Sequence, residues 1–165
     1  MSSVLFYDPV CRAPYDTRTV STQALGGSEA TLARVADALG AWVIQHNRTD
    51  DWERYRPPQA LPGITTVIVN REPRALADLG SLYPQAQLYL WLHDRMRPGG
   101  RRARALGAQA AALGRLQVRV VCVSDWQRAD VEATLARLGL SARVSANTAP
   151  VRLFSTRTTP AKPSM

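Results

Sequence analysis

The chain has 165 residues, 45% of them hydrophobic and 21% charged. That is the size and composition of about one globular domain, which excludes a disordered or low-complexity polypeptide. Twenty-one Lys and Arg against 13 Asp and Glu leave a net charge of +8, a balance that suits polyanionic partners and equally a solvated cationic surface. No stretch approaches the ~20 apolar residues of a membrane span. The first six residues, Met1 to Phe6, have neither a basic start nor a long apolar segment, so no signal peptide is expected and the cytoplasm is the expected compartment. Cys11 and Cys122 fit neither a disulfide framework nor a zinc spacing, and no metal is expected.

In chain order, residues 4–7 form an apolar run that predicts a first strand. A loop rich in Pro, Asp and Thr is expected over residues 8–24. Gly26-Gly27-Ser28-Glu29 then opens a helix in which Leu32, Val35, Ala36 and Leu39 recur at helical spacing, with Gly40 as its closing glycine. Residues 41–44 read as a strand, 46–63 as a long polar connection, and the β-branched run 65–69 as a buried strand. Pro73 suits the first turn of a short helix over 74–82. Residues 87–92 form the next strand. A single helix after the Pro98-Gly99-Gly100 turn places Ala103, Leu106, Ala110 and Leu113 on one face. Residues 119–123 are a further strand. Ser124 and Gln127 predict a capping box for a helix that ends at Gly139, and residues 142–144 a last strand. Trp91, Trp126, Tyr89 and Leu135 are expected in or beside the core.

Strands alternating with helices predict an α/β fold, a Rossmann-like doubly wound parallel sheet. Ligands of such sheets bind beyond the carboxyl ends of the strands, so the residues just after each strand are the candidate site. Gly26, Gly27 and Ser28 offer close backbone approach and helix-start N–H groups for phosphate or sugar hydroxyls; a tight turn with Ser28 as N-cap is the plainer reading. His93, at a strand end, has the chemistry to hydrogen-bond a substrate at neutral pH, and a loop histidine satisfied by backbone stays open beside it. Arg71 is placed to fork onto a carboxylate or phosphate or to pair near Glu72. Arg95, Arg97, Arg101, Arg102 and Arg104 crowd a helix start, where cations are unfavourable, which points to an anionic lipid surface or a polyanionic acceptor; a solvated helix start is the plainer reading.

These motifs, taken together, resemble the first domain of family 4 retaining glycosyltransferases. Gly26-Gly27-Ser28-Glu29 is similar to their glycine loop. Trp91-Leu92-His93-Asp94 is similar to their histidine-bearing strand end. Residues 121–127, Val-Cys-Val-Ser-Asp-Trp-Gln, resemble a late strand and helix start, and residues 145–151 resemble the interdomain hinge without its glycine. The resemblance implies the N-terminal half of a GT-B architecture over residues 1–151, with 152–165 as a tail or interdomain linker. It implies that Gly27 lies near the donor phosphates or transferred sugar, that His93 contacts the donor sugar, and that Arg71, Asp94, Ser124 and Arg128 belong to the acceptor side or cleft. It implies no cofactor: a nucleotide sugar is substrate, bound mainly by a second domain.

The family's paired glutamates, eight positions apart, have no counterpart among Glu29, Glu53, Glu72 and Glu132. The chain by itself is therefore expected to have little or no transferase turnover. Expected partners are a sugar acceptor, glycan or lipid-linked, and a C-terminal domain or companion chain. Peripheral contact with an anionic membrane at its inner face and a homodimer through the bare cleft face are further expectations. A non-catalytic glycan or sugar-nucleotide binding module is the first alternative. A basic nucleic-acid-binding domain is the second, disfavoured because aromatic residues are not interleaved with Arg and no nucleic-acid motif is present.

Overall fold

A computed structural model describes residues 2–97, 99–139 and 143–146. The hinge read at 145–151 lies, beyond Ala146, outside the described residues, as does the tail at 152–165. The strands are β1 (Val4–Asp8), β2 (Trp42–Gln45), β3 (Tyr55–Arg56), β4 (Thr66–Asn70), β5 (Gln87–Leu92), β6 (Arg119–Cys122) and β7 (Arg143–Ala146). The helices are α1 (Thr17–Thr22), α2 (Gly27–Ala38), α3 (Leu76–Leu82), α4 (Arg101–Ala108), α5 (Ala110–Arg115) and α6 (Asp125–Arg137), with a 3-10 turn at Pro73–Ala75 before α3.

The seven strands form one sheet in the order β3-β2-β1-β4-β5-β6-β7, and every pairing is parallel. The fold is thus the Rossmann-like α/β layer that the alternating pattern predicts. From β1 the chain steps outward to β2 and β3, then returns to build β4 on the other side of β1. The strand order reverses between β1 and β4, and a crevice opens there at the carboxyl ends.

Strand alternation sends side chains to two cores. Leu5, Val67, Leu90 and Val120 pack with Leu76 of α3, Leu106 of α4 and Leu135 of α6 on one face. Phe6, Val43 and Trp91 pack with Leu32, Ala33 and Ala36 of α2 on the other. Burial on both faces is why these strands read as apolar runs. Gly40 (φ 59°) and Gly139 (φ 68°) take left-handed conformations beyond the ends of α2 and α6, as the sequence predicts.

Several local expectations are corrected. The 8–24 segment contains α1, nucleated by a capping box in which Asp16 accepts from Thr19 N–H and Thr19 Oγ1 accepts from Asp16 N–H at 2.8 Å. The 46–63 connection contains β3, where Tyr55, 3% exposed, packs edge-on against Tyr15 and beside Trp52. The single helix predicted after Gly100 breaks at Gln109 (φ −101°, ψ 10°) into α4 and α5. Gly107, the weak helix former just before that break, is where Leu138 of the α6 end packs close against the backbone. The Ser124 capping box is half formed. Ser124 Oγ accepts from Gln127 N–H at 3.1 Å, but Gln127 Oε1 takes the N–H of Val123, at 2.8 Å, in place of that of Ser124. Trp126 is not in the core: it is 55% exposed, with the Arg95 guanidinium stacked 4.5 Å from its ring. Among the described residues no helix is long and apolar enough to cross a membrane.

Candidate functional site

On the α2 face, β1, β2 and β4 each end in a polar residue: Asp8, Gln45 and Asn70, all 0% exposed. Register aligns them. Asp8 pairs with Gln45, Asn70 pairs with Trp91 of β5, and the Tyr7–Val69 pairing sets Asp8 beside Asn70. A polar row therefore crosses four strands at the switch point.

The two halves of this row differ. Asp8 accepts from Tyr15 Oη at 2.7 Å and from Val10 N–H at 3.2 Å. Gln45 Nε2 donates to the Tyr15 carbonyl at 2.9 Å, and buried Arg48 donates to the same carbonyl at 3.2 Å. These bonds pin the segment from Cys11 to Asp16 over the strand ends. Asn70, by contrast, has no partner for either side-chain atom among the described residues, and neither have Arg71 Nε, Trp91 Nε1 and His93 Nε2. A buried polar atom without a partner costs about 1–3 kcal/mol. Five such atoms gathered at two adjacent strand ends mark a place where the fold gives up stability for something other than packing.

Arg71 follows Asn70 in a left-handed conformation (φ 63°), an arrangement that a side chain with a Cβ adopts only when held there. Its N–H donates to the Trp91 carbonyl at 2.9 Å. Its Nη2 reaches Glu29 of α2 at 2.9 Å, the two side chains being 21% and 16% exposed. The partner is thus Glu29, 42 positions away, and not the Glu72 neighbourhood. Ser28 is likewise not the N-cap of α2; that position is Gly26, which supplies no side chain. Ser28 Oγ instead donates to Glu29 Oε2 at 2.7 Å. The Glu29 carboxylate folds back against Gly26, where any Cβ would collide with it. Burial pushes the Glu29 carboxyl up. The bonds from Ser28 and its own N–H, with the Arg71 charge, outweigh this and hold it below the usual carboxylate range. The anion-favouring start of α2 is therefore already faced by a carboxylate of the chain itself.

Two clefts open at this edge and share Arg71, His93 and Asp94 as a dividing wall. The larger, about 770 Å³, runs along Arg12, Tyr15 and the Gly26–Glu29 loop. The smaller, about 410 Å³, runs between the β4 end and α4. The His93 ring lies 4.4 Å from that of Trp91. Burial first, and the Arg71 charge second, hold its pKa below the usual imidazole value, so His93 is neutral at pH 7. Asp94 pairs with Arg102 at 2.9 Å, and its carbonyl accepts from Gln127 Nε2 at 2.8 Å. Gln127 thereby ties the β5 end to the β6 end.

The structure thus brings together Gly26, Gly27, Ser28, Arg71, His93 and Asp94 around the clefts. It does not bring Ser124 or Arg128 there. Ser124 caps α6, and Arg128 lies along that helix beside Asp125 (3.3 Å) and Glu132 (4.0 Å). Cys11 is buried at the start of the segment pinned over the strand ends, 3% exposed. Burial, and next the Asp8 charge, push its thiol up to about 12, and it donates to Asn47 Oδ1 at 3.2 Å. Sequence reasoning missed Glu29 as the partner of Arg71 and the indole N–H of Trp91; an Asn closing a β-branched run was the one legible sign of the polar row. No protein-family model matches the chain, and no curated protein and no solved structure is significantly similar to it.

Proposed function

We propose that this chain is the acceptor-side, N-terminal domain of a retaining glycosyltransferase of the family 4 type. It would act on a nucleotide-sugar donor and a glycan, lipid-linked or small-molecule acceptor. The observation that carries the reading is the shared wall of the two clefts. A neutral His93 stands at a strand end with an unpartnered ring nitrogen, beside Arg71 and facing the Gly26–Glu29 loop. A neutral imidazole beside a guanidinium on the cleft wall supplies donors and an acceptor for uncharged sugar hydroxyls.

In this reading the chain's own residues bind and orient. His93 holds a sugar hydroxyl at the reacting centre without exchanging its charge at neutral pH. The register pairing of Asn70 with Trp91 fixes the β4 and β5 ends, from which Arg71 and His93 extend, against each other. Arg71 lines both clefts and orients whatever bridges them. Stabilisation of the departing nucleoside diphosphate, the main electrostatic task in such chemistry, falls to a second Rossmann-like half that faces this edge. No two of the four glutamates are eight positions apart, so transfer needs that half or a companion chain. A cofactor or metal has no part in this scheme.

The test is saturation-transfer NMR on the purified chain with a panel of mono- and disaccharides, repeated on His93→Ala. The expected outcome is saccharide binding in the millimolar range that His93→Ala abolishes, with no sugar transfer from labelled nucleotide sugars. Absence of any saccharide binding would overturn the reading, and robust transfer by the chain alone would overturn its half-enzyme part. A purely glycan-binding module would bind as tightly by itself as any lectin and gain no turnover from a donor-binding half.

A further inference from the structure

The smaller cleft has a chemistry of its own. Arg71, Arg74, Arg101 and Arg102 line it against two carboxylates, Glu72 and Asp94. Arg102 is engaged by Asp94 at 2.9 Å and Arg74 by Glu72 at 3.7 Å, whereas Arg101 has no carboxylate within 4.0 Å among the described residues. Between residues 95 and 124 the chain has seven arginines and no Asp or Glu, so this stretch supplies no counter-ion of its own.

The helix that forms the far wall repeats the imbalance. Helix α4 starts with Arg101 and Arg102, has no acidic residue in its first turn, and its N-cap Gly100 makes no side-chain bond to it. Two cations at the positive end of a helix are the wrong sign, and the first N–H groups of the helix have no capping side chain. Three other helix starts are served by a side chain, Asp16 capping α1, Glu29 facing α2 and Ser124 capping α6, while α3 and α5 share with α4 the lack of a side-chain cap. Buried Leu92, Met96 and Leu106 form an apolar floor, a low-dielectric wall that strengthens charge pairing above it. His93 Nε2, unpartnered, belongs to the same lining.

We propose that this cleft binds a phosphate ester, with Arg101, Arg102 and the first N–H groups of α4 gripping the phosphate and Arg71 and His93 contacting the body of the ligand. A single dianion offsets the unpaired arginine charge and the uncapped helix start together. At about 410 Å³ the cleft has room for a ligand of monosaccharide-phosphate size. The same chemistry is offered by a free sugar phosphate and by a phosphorylated lipid headgroup. The inference stands without the transferase reading, because binding needs neither donor nor second half.

The experiment is calorimetric titration of the purified chain with glucose 6-phosphate and with glucose. In parallel, flotation with phosphatidylcholine vesicles is run with and without a phosphatidylinositol monophosphate. Arg101→Gln and Arg102→Gln are compared with Arg104→Gln. Arg104 removes the same charge from the same helix but lines a separate hollow beside Thr134 and Leu138. Expected is binding of the phosphate ester and not of glucose, weakened at least about tenfold by Arg101→Gln or Arg102→Gln and less than about twofold by Arg104→Gln. Binding confined to the phosphoinositide vesicles, with the same dependence on Arg101 and Arg102, assigns the phosphate to a lipid and upholds the site. On the unmodified chain, the amide shifts of Gly100, Arg101 and Arg102 are expected to move with the phosphate ester, which tests the site whether or not the variants fold. Equal losses across all three variants, glucose binding as well as glucose 6-phosphate, or no binding of either ligand form would overturn it.

Discussion

Arg71 joins backbone strain to a charge pair, and two substitutions separate them. Arg71→Ala and Arg71→Gly both delete the guanidinium that reaches Glu29 at 2.9 Å. Only Ala keeps a Cβ at φ 63°. The pair has side chains 21% and 16% exposed, so breaking it costs less than the 3–5 kcal/mol of a fully buried pair, about 1–3 kcal/mol. Glu29 keeps its bond from Ser28 in either variant. The left-handed backbone strain of about 1 kcal/mol is carried by the unmodified chain and by Arg71→Ala alike and is relieved in Arg71→Gly, which offsets part of its loss. Urea unfolding at pH 7, followed by circular dichroism, should therefore rank the chains unmodified, Arg71→Gly, Arg71→Ala, with about 1 kcal/mol between the last two. A cycle with Glu29→Gln should give a coupling of about 1–2 kcal/mol. The native pKa of Glu29 lies below its ordinary 4.5. In the window between the two values the unfolded chain binds the proton first, so the coupling is complete above about pH 4.5 and is lost as pH falls through the native value. Equal stabilities of the Ala and Gly variants, or a coupling at pH 7 indistinguishable from zero, would refute the reasoning.

Other consequences are as direct. His93 should titrate in imidazole NMR below its ordinary 6.5. Because the unfolded chain takes up that proton first, the stability held by neutral His93 is present above about pH 6.5 and lost as pH falls towards the native value; a native pKa at or above 6.5 would contradict its burial beside Arg71. Gly26→Ala should displace the Glu29 carboxylate and lower Tm, a loss of about 1 kcal/mol. Gly27→Ala, whose Cβ meets nothing within 4 Å, should leave Tm unchanged or raise it. The Cys11 and Cys122 thiols, held up at about 12 and about 11 chiefly by burial, should resist a thiol reagent at pH 8 until the chain is unfolded.

The sheet was legible because parallel strands buried on both faces write themselves as β-branched and apolar runs, as in residues 65–69 and 87–92. Helices with a glycine stop, α2 and α6, were equally plain. Helix α1 was not, since six residues carry too little periodicity and its cap pairs Asp16 with Thr19 where a Glu or Gln is the usual sign. Strand β3 depends on tertiary packing of Tyr55 against Tyr15 and Trp52, which no local pattern records. At the site, position after a strand pointed to Arg71, His93 and Asp94. The Arg71–Glu29 pair was hidden because it links residues 42 apart across the β1–β4 switch, and topology alone brings them together. Ser124 was legible as the cap of α6, which it is; the cleft role that the family resemblance implied for it and for Arg128 had no such local sign.

The decisive measurement is an amide shift map of the chain with the saccharide from the panel that binds. The sheet has clefts at both edges, which makes the map a choice between two places. If the function lies at the β1–β4 switch point, the shifts gather at Gly26, Gly27, Asn70, Arg71 and Asp94. Shifts that gather instead at Gly80, Gln87 and Gln117, around the roughly 370 Å³ hollow at the amino-terminal edge, would contradict that placement and the function built on it.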